Sequence, residues 1–378
     1  MKIGVVAGEA SGDLLGSQLI TALQKKRADI EFVGIAGPKM IALGARSIFP
    51  MERLSVRGYV EVLKHLWGLL QLRKQLYRFL LQEKIDLFIG IDAPDFNFWL
   101  EKKFKKKGIH TIHYVSPSIW AWRKERIHKI KQCVQHMLCL FPFEQPLYQA
   151  ENIPSSYIGH PLADMIPLIP QTQAMRKQLK LDTSDLIVAM LPGSRMSEVE
   201  QHASLYIQVA KEIQQKIPNA LFLVPLITLQ TRKVFERALL QCKEPVRVKL
   251  MYGHAHDAME ASDVVLVASG TATLEAALLK KPMVITYRMP YLSWQILKRM
   301  RLQPYVGLPN VLAEKMIVPE FLQQEATVNN ITEAIFKMQQ DEDYVQRVKS
   351  EFLRIHHMLK QNSAQKAADI VLAHLVKN

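Results

Sequence analysis

Cysteine is scarce in this sequence of 378 residues, which contains only Cys133, Cys139 and Cys242. Three scattered cysteines cannot form the disulfide framework of a small secreted domain. None of them stands near a histidine at the spacing of zinc ligands. The sequence therefore excludes a disulfide scaffold, and we expect a protein of a reducing compartment, the cytoplasm.

Long apolar runs are also lacking. Stretches such as Ala220–Leu223 and Pro225–Ile227 fall far short of the ~20 residues that a membrane-spanning helix needs. Met1–Ala7 has no basic region, long apolar stretch or cleavage site, so the features of a signal peptide are missing. We expect neither a membrane span nor export, and any membrane contact is expected to be peripheral.

Basic residues outnumber acidic ones, and the formal net charge is +14. This balance suits nucleic acid, an anionic membrane surface or a phosphorylated small substrate, and it does not choose among them. The basic runs 102–107 and 123–131 lack the interleaved aromatic residues of a nucleic-acid stacking surface. We therefore expect no nucleic-acid partner.

Short apolar segments alternate with helix-like stretches along most of the chain. This alternation is typical of an α/β protein with doubly wound parallel sheets. The content of apolar residues, 49%, is sufficient for a sizeable core in each of two domains. The predicted strands are Lys2–Ala7, Glu31–Ala36, Leu87–Ile91, Thr111–Val115, Leu186–Leu191, Ala220–Pro225, Arg247–Met251, Val264–Ala268 and Met283–Tyr287.

A proline-rich segment, Gly159–Thr172, divides the two series of strands. Prolines interrupt both helices and strands, so we predict a hinge there. The predicted domains are Rossmann-like, span residues 1–165 and 172–343, and face each other across a cleft. The remaining segment, 344–378, is predicted to be helical, and packing against the first domain is one arrangement for it.

A turn containing two glycines follows the first predicted strand. Gly8, Glu9, Ser11 and Gly12 follow this strand and open a helix, where glycines allow close approach of a ligand and helix amides favour an anion. The glycine spacing differs from the G-x-G-x-x-G of dinucleotide-binding proteins, which disfavours a dehydrogenase. A plain tight turn remains the alternative interpretation.

Two carboxylates follow the strand Leu87–Ile91. Asp92 and Asp95 lie where ligands bind in open α/β sheets, and either is a candidate general base. Capping of the next helix is the alternative, especially for Asp95. The sequence leaves open the choice between the two.

The first candidate phosphate loop of the second half comes directly after a predicted strand. Gly193, Ser194 and Arg195 bring together backbone amides, a hydroxyl and a guanidinium, and arginine binds phosphate oxygens bidentately. A surface arginine after an ordinary turn is the alternative. A helix containing Glu198 follows.

A second loop repeats this arrangement after the strand that ends at Ala268. Its members are Ser269, Gly270, Thr271 and Ala272, with Glu275 on the first turn of the following helix. Amides at such a helix start hold phosphate, and the carboxylate accepts hydrogen bonds from a ribose diol. Favourable interaction of Glu275 with the helix dipole is the alternative. Together, the two loops predict a site for a nucleotide diphosphate.

Two segments mix apolar residues with cations. Trp67, Leu70 and Arg73 lie within 54–81, and Trp294 and Arg299 lie within 291–305. Such mixtures are typical of surfaces that contact lipid, although a buried helix edged by solvated cations has the same composition. We regard both segments as candidate surfaces for an acylated acceptor or a membrane.

Metal-binding patterns are weak. His254 and His256 are two residues apart and have no cysteine or acidic partner at a ligand-like spacing. Asp341 and Asp343 are better explained as a helix cap and a first-turn acid. We predict no metal and no other cofactor.

In their order along the chain, these motifs resemble the lipid-A-disaccharide synthase family of GT-B glycosyltransferases. The resemblance extends over almost the whole chain, and its most distinctive part is the run Tyr114–Trp122. The matching segments are Gly8–Asp13, Gly34–Pro38, Gly90–Asn97, His113–Trp122, Leu191–Arg195, Ser269–Glu275 and Leu308–Asn310.

The resemblance implies a GT-B-like fold and an inverting transfer between two acylated sugars. UDP-2,3-diacylglucosamine is the donor, and O6 of 2,3-diacylglucosamine 1-phosphate is the acceptor. The products are the β-1,6-linked disaccharide 1-phosphate and UDP. Two alternatives remain, another GT-B transferase that uses a UDP-sugar and a lipid acceptor, and a UDP-sugar epimerase.

The resemblance also assigns roles and a location. It implies Asp92 as the base with Asp95 in support, and Glu275 and Asn310 as contacts of the nucleotide or sugar. It implies peripheral association with the anionic inner face of a Gram-negative inner membrane. The oligomeric state is left open, with a homodimer as one option.

Overall fold

A computed structural model describes residues 1–54, 59–182, 185–242 and 244–375, apart from the side chains of 59–66, 292 and 296. The chain divides into two compact units. The first consists of Met1–Asp164 together with the segment from Leu359 onward, and the second is Met165–Met358.

Each unit is built on one parallel sheet. The strands of the first unit are β1 (Lys2–Ala7), β2 (Glu31–Ile35), β3 (Arg46–Ser47), β4 (Leu87–Ile91), β5 (His110–Tyr114), β6 (His136–Cys139) and β7 (Ser155–Tyr157). Those of the second are β8 (Ile187–Leu191), β9 (Leu221–Leu226), β10 (Val248–Tyr252), β11 (Val264–Ala268), β12 (Met283–Tyr287) and β13 (Glu320–Leu322). The spatial orders are β3-β2-β1-β4-β5-β6-β7 and β10-β9-β8-β11-β12-β13.

Helices connect the strands. They are α1 (Ala10–Lys26), α2 (Pro38–Ile41), α3 (Tyr59–Gln82), α4 (Pro94–Lys105), α5 (Ile127–Cys133), α6 (Glu144–Gln149), α7 (Pro161–Met165), α8 (Thr172–Gln178), α9 (Met196–Lys216), α10 (Leu229–Gln241), α11 (Ala255–Ala261), α12 (Thr271–Leu278), α13 (Tyr291–Met300), α14 (Leu308–Ala313), α15 (Val328–Gln340), α16 (Glu342–Leu359) and α17 (Ser363–Leu375). Short 3-10 turns occupy Met51–Arg53, Lys124–Arg126 and Gln323–Glu325. Among the described residues, no helix is long and apolar enough to cross a membrane.

The central strands are buried along their whole length. β4, β8 and β11 have no exposed position, because helices cover both faces of a parallel sheet. This explains why these strands appear in the sequence as continuous apolar runs rather than alternating patterns. The structure confirms the predicted fold class of two Rossmann-like units with parallel sheets.

The edge strands β3, β7 and β13, together with β6, were not predicted. They contain two to four residues each, and β3, β7 and β13 have no fully buried residue. Their hydrophobic signal is therefore too short to separate from loop sequence. Pairing with the neighbouring strand, rather than local preference, defines them.

The C-terminal segment is two helices that belong to different units. α16 belongs to the second unit up to Met358, and α17 belongs to the first. The carboxylate of Asp164 accepts the backbone N–H of Asn362 at 2.9 Å, and it accepts both the N–H and the hydroxyl of Ser363, at 2.7 and 2.6 Å. Asp164 therefore caps the start of α17, although the two are far apart in sequence.

We expect the first unit to lose stability in acid because of two histidines, His136 and His160. Burial lowers the pKa of His136 to about 4, with a smaller effect from His374, and burial lowers the pKa of His160 to about 4 against the opposing charge of Asp164. An unfolded histidine titrates near ~6.5. Because folding favours the neutral rings, their contribution is complete above that pH and is lost as the pH falls towards about 4.

The measurement is urea unfolding of the first unit, followed between pH 7 and 4. His136→Gln should flatten the pH dependence, by at most about 1.4 kcal/mol per pH unit for one titrating group. His128→Gln is the matched control, because this histidine is exposed. An identical pH dependence in His136→Gln and the wild type would contradict the prediction.

Candidate functional site

The candidate residues gather where the strand order reverses. In the first unit the chain leaves β1 for β2 and β3 and then returns to β4 on the other side of β1. In the second unit it leaves β8 for β9 and β10 and returns to β11. Open α/β sheets bind ligands at the carboxyl ends of strands flanking such a reversal.

Four of the predicted loops lie at these two positions. Ala7 pairs with Ile91, so the turn at Gly8 lies beside the turn at Asp92. In the second unit, Leu191 pairs with Val267. The loop with Arg195 therefore starts beside the loop that begins at Ser269. Each unit thus brings together two candidate motifs that are more than 70 residues apart in sequence.

The turn after β4 has an unusual backbone. Asp92 and Ala93 have φ of +53° and +43°, both in the left-handed region. A side chain at Gly8 would place its Cβ 2.9 Å from the Cβ of Ala93, so this position requires glycine. The side chain of Asp92 is partly buried.

Asp95 lies in a different environment. Its side chain is 79% exposed and forms an ion pair with Arg126. The guanidinium of Arg73 lies 4.7 Å from the ring centre of Trp99 and donates a hydrogen bond to the Asp95 carbonyl at 3.4 Å. Arg73 was predicted to be part of a lipid-facing surface, but its side chain packs against Trp99 and bonds the backbone of Asp95.

The segment Gly8–Asp13, whose residues from Ala10 onward form the first turn of α1, has both exposed and structural members. Glu9 is the N-cap residue of α1, and Ser11 is exposed. Gly12 is buried, and a Cβ there would be 3.6 Å from the Ile91 carbonyl oxygen. Asp13 is buried and accepts the N–H groups of Lys39 and Met40 at 2.9 and 3.0 Å, so it stabilises α2. The exposed Ser11 remains a candidate for ligand contact.

A buried carboxyl that sequence reasoning missed lies next to the run Tyr114–Trp122. Glu144 accepts the N–H groups of Leu140 and Phe141, both at 3.0 Å, and Ser116 and Trp120 are among its neighbours. Burial raises the pKa of Glu144 to about 8, against these hydrogen bonds. In the sequence, the only indication of this buried position is that an acidic residue follows an uninterrupted apolar strand.

In the loop after β8, the backbone amides that were expected to bind phosphate have an internal partner. The N–H groups of Ser194 and Arg195 donate to the carboxylate of Glu198 at 2.9 and 3.1 Å. The guanidinium of Arg195 donates to the same carboxylate at 2.8 Å, and its side chain is 63% exposed. The amides predicted to bind phosphate are thus occupied by a helix-capping acid. Gly193, with φ of +125°, gives Glu198 the necessary space.

His202 links this loop to the end of β12. Its Nδ1 bonds the Glu198 carbonyl at 2.7 Å, and its Nε2 accepts the N–H of Arg288 at 3.0 Å. Both contacts are satisfied together by the neutral ring, with the proton on Nδ1. Burial lowers the pKa of His202, which favours this neutral form. No pattern in the sequence indicates this role of His202.

The loop after β11 is held at both ends. The hydroxyl of Ser269 donates to the Val306 carbonyl at 3.0 Å, and that of Thr273 donates to the Gly270 carbonyl at 2.8 Å. Gly270 and Thr271 are exposed, and Ala272 is partly buried. The exposed start of α12 therefore fits the predicted contact with a ligand.

Glu275 has a partner that the sequence did not identify. Its carboxylate lies 2.9 Å from Nδ1 of His256, and this hydrogen bond raises the pKa of the histidine. His254 pairs separately with Asp257 at 2.7 Å. Among the described residues, no three histidine, cysteine or acidic side chains gather as metal ligands would. Each histidine thus pairs with one carboxylate, and the hydrogen bond to His256 orients the side chain of Glu275.

Asn310 does not have the environment expected of a nucleotide contact. It is fully buried, and its Nδ2 donates to the Val318 carbonyl and to Glu320 at 2.9 and 2.8 Å. Its Oδ1 accepts the N–H groups of Ile317 and Val318 at 2.8 and 3.1 Å. All four hydrogen-bonding positions of this amide are used internally. We therefore correct its role to holding the segment before β13.

The candidate lipid-facing residues differ in exposure. Trp67 is 78% exposed, whereas Leu70 is partly buried. On α13, Trp294 is partly buried and Arg299 is exposed. Trp67 is therefore the clearest apolar surface residue among these candidates.

Comparison with protein families establishes the family of this chain. A family model described as lipid-A-disaccharide synthetase matches residues 3–373. The chain belongs to this family. A lipid-A-disaccharide synthase of Methylobacillus flagellatus is 60% identical over 374 residues, which cover 99% of each chain. The corresponding protein of Dechloromonas aromatica is 52% identical, with 98% of each chain covered.

Solved structures of low identity share the fold. The UDP-GlcNAc 2-epimerase of Neisseria meningitidis has a TM-score of 0.65 at 15% identity, and all of both chains is covered. A putative epimerase of Listeria monocytogenes has a TM-score of 0.67 at 11% identity, with 100% of this chain and 97% of the other covered. At these identities the likeness shows the GT-B-like fold alone.

Membership in the lipid-A-disaccharide synthetase family confirms the resemblance inferred from the motifs. It also confirms a glycosyltransferase-type enzyme of lipid A biosynthesis. Neither alternative, a transferase for another lipid acceptor or an epimerase, is favoured.

A side chain at Gly193 is expected to destabilise the loop after β8. Gly193→Ala would place a Cβ 2.4 Å from the Cβ of Glu198, at a backbone conformation that L-residues rarely adopt. We expect the free energy of unfolding of the second unit to fall by about 1–3 kcal/mol, measured by urea denaturation.

Gly270→Ala is the matched control. Its backbone is extended, and a Cβ there would meet no atom within 4 Å. Equal stabilities of the two variants would show that the close contact with Glu198 does not govern this loop.

Proposed function

We propose that this chain condenses UDP-2,3-diacylglucosamine with 2,3-diacylglucosamine 1-phosphate. The products are the β-1,6-linked disaccharide 1-phosphate and UDP. The observation that carries the proposal is the position of Asp92 and Gly8 at the strand-order reversal of the first unit, together with Arg195 and Ser269 at that of the second. These are the positions where open α/β sheets bind ligands.

Asp92 is the proposed general base. The alternative, Asp95, is exposed and already paired with Arg126. Asp92 is partly buried and lies beside the Gly8 turn, which favours it for contact with an acceptor hydroxyl.

The proposed step is a single displacement. The acceptor O6 attacks C1 of the donor sugar from the face opposite the diphosphate, and Asp92 removes the O6 proton. The C1–O bond to the β-phosphate breaks, and the electron pair leaves with UDP. One bond forms and one breaks, so the configuration at C1 inverts.

Groups of the second unit would stabilise the leaving UDP. Arg195 offers an exposed guanidinium, and the start of α12 offers exposed backbone at Gly270 and Thr271. Developing charge is stabilised by such fixed donors. Glu198 occupies the amides of Ser194 and Arg195 and one guanidinium nitrogen of Arg195. We therefore assign the diphosphate to the remaining N–H groups of the exposed guanidinium and to the α12 start. Glu275, oriented by His256, would accept hydrogen bonds from the ribose.

We further propose peripheral association with the anionic inner face of the inner membrane, where acylated substrates reside. The net charge of +14 favours an anionic surface. Trp67 supplies an exposed aromatic side chain on α3, and Arg299 supplies an exposed cation on α13. Exposed aromatic rings and exposed cations both suit the interfacial region of a bilayer.

Asp92→Asn tests the base. The isosteric amide cannot accept the O6 proton, so turnover should fall by about 10²–10⁴-fold while UDP affinity stays within twofold. Purified protein is incubated with both acylated sugars, the disaccharide 1-phosphate is identified by mass spectrometry, and UDP binding is measured by calorimetry.

Asp95→Asn is the control, and its turnover should fall far less. If Asp92→Asn retains more than a tenth of wild-type turnover, Asp92 is not the base. If the wild type forms no disaccharide 1-phosphate from the two substrates, the proposed reaction is wrong.

Trp67→Ser tests membrane association. Removing the exposed ring should weaken binding to vesicles containing anionic phospholipid by about tenfold, equivalent to ~1.4 kcal/mol. Binding is measured by vesicle sedimentation at low and physiological salt. Leu240→Ser is the control, because Leu240 is 86% exposed on α10 of the second unit. An equal loss in both variants would assign the binding to general hydrophobicity rather than to α3.

A further inference from the structure

The turn that carries Asp92 is intrinsically unfavourable. Asp92 and Ala93 are consecutive non-glycine residues with left-handed φ values of +53° and +43°. An L-residue in this region brings its Cβ close to the backbone, and alanine has no polar side chain to compensate. Such backbone strain persists only where surrounding structure enforces it, and it is concentrated at functional sites.

Hydrogen bonds from neighbouring elements enforce this conformation. The N–H of Asp92 donates to the Tyr114 carbonyl at 2.9 Å, and its carbonyl accepts the Nδ2 of Asn97 at 2.8 Å. The Ala93 carbonyl accepts the N–H groups of Phe96 and Asn97, both at 3.0 Å. With both of its backbone polar groups bound, Asp92 has a fixed direction for its Cα–Cβ bond.

Asn97 is itself placed by a buried polar scaffold. Its side chain is fully buried, and the missing side chain of Gly90 leaves room for it, since a Cβ there would lie 2.8 Å from the Asn97 Cβ. One turn further along α4, Glu101 Oε1 is 2.7 Å from Nδ1 of His113 on β5, and both side chains are fully buried. This pair fixes α4 to the sheet directly below the Asp92 turn.

We infer that Asn97 is a positioning residue, which holds the strained Asp92–Ala93 turn and thereby aims the Asp92 carboxylate at the acceptor hydroxyl. The inference rests on the proposed function of Asp92 as base. Asn97 acts through the Asp92 carbonyl and contacts no substrate. Its hydrogen bond therefore affects the rate of proton removal rather than binding of the donor.

Asn97→Ala is expected to lower kcat by about 10- to 100-fold, because misplacement of a reacting group by about 1 Å has effects of this size. The KM for the UDP-sugar donor should stay within twofold of the wild-type value. A loss of folded enzyme alone would also lower the apparent kcat at unchanged KM. The kcat of each variant is therefore referred to its folded fraction, measured by urea unfolding, and rescue by a second substitution separates the two explanations.

Ala93→Gly supplies the decisive second variant. Glycine adopts the left-handed conformation without strain, so the turn no longer depends on Asn97 to enforce it. We expect Ala93→Gly alone to keep kcat within about threefold of wild type, and the Asn97→Ala/Ala93→Gly double variant to recover at least about fivefold relative to Asn97→Ala. Single-turnover kinetics and urea unfolding are measured for all variants.

Asn310→Ala is the matched control, because Asn310 is an equally buried asparagine with internal hydrogen bonds. Ala93→Gly should not restore any activity lost in that variant. If Asn97→Ala does not fold, Asn97→Ser with and without Ala93→Gly gives the same comparison.

Two results would overturn the inference. One is wild-type kcat in folded Asn97→Ala, and the other is a double variant no faster than Asn97→Ala. A wild-type enzyme that forms no disaccharide from authentic substrates would overturn the proposed function itself. A wild-type enzyme that is active while Asp92→Asn keeps its turnover would remove the base assignment, and with it the role of Asn97.

Discussion

The parallel pairing of β1 with β4 and of β8 with β11 is the constraint on which the candidate site depends. Ala7 pairs with Ile91, and Leu191 pairs with Val267, so the ends of each pair lie level. The turns that follow are consequently neighbours in each unit. Without this register, the Gly8 turn and the Asp92 turn would be separate loops with no shared function.

Buried or partly buried carboxylates hold the loops at these strand ends. Glu144 binds the amides of Leu140 and Phe141 after β6, Glu198 caps α9 through two backbone amides, and Asp13 caps α2. Burial raises the pKa of Glu144 to about 8, so this group is mainly neutral at pH 7. An ionised carboxylate that accepts several N–H groups makes strong, charge-assisted hydrogen bonds. Helices with exposed cations thus coexist with loops organised by internal carboxyl groups, and the net charge of the sequence gives no hint of this arrangement.

Identity and fold provide different kinds of evidence. Relatives at 52% and 60% identity over nearly the full chain, with a family model spanning residues 3–373, establish the family. The epimerases at 11–15% identity establish only how the strands and helices are arranged. The roles proposed for Asp92, Arg195 and Glu275 therefore rest on the exposure and contacts of these side chains themselves.

Patterns along the chain were sufficient to predict the two doubly wound units, their long buried strands and the positions of Asp92, Arg195 and Ser269 at strand ends. Continuous apolar runs and turn residues are local signals, so they are visible without the fold. The three-dimensional fold was needed to show which polar groups already have internal partners. It assigned Asn310 and the amides after Gly193 to internal contacts, and it revealed the partners Glu144, His256 and Asn97. Hydrogen bonds between residues distant in sequence depend on three-dimensional proximity, which no pattern along the chain records.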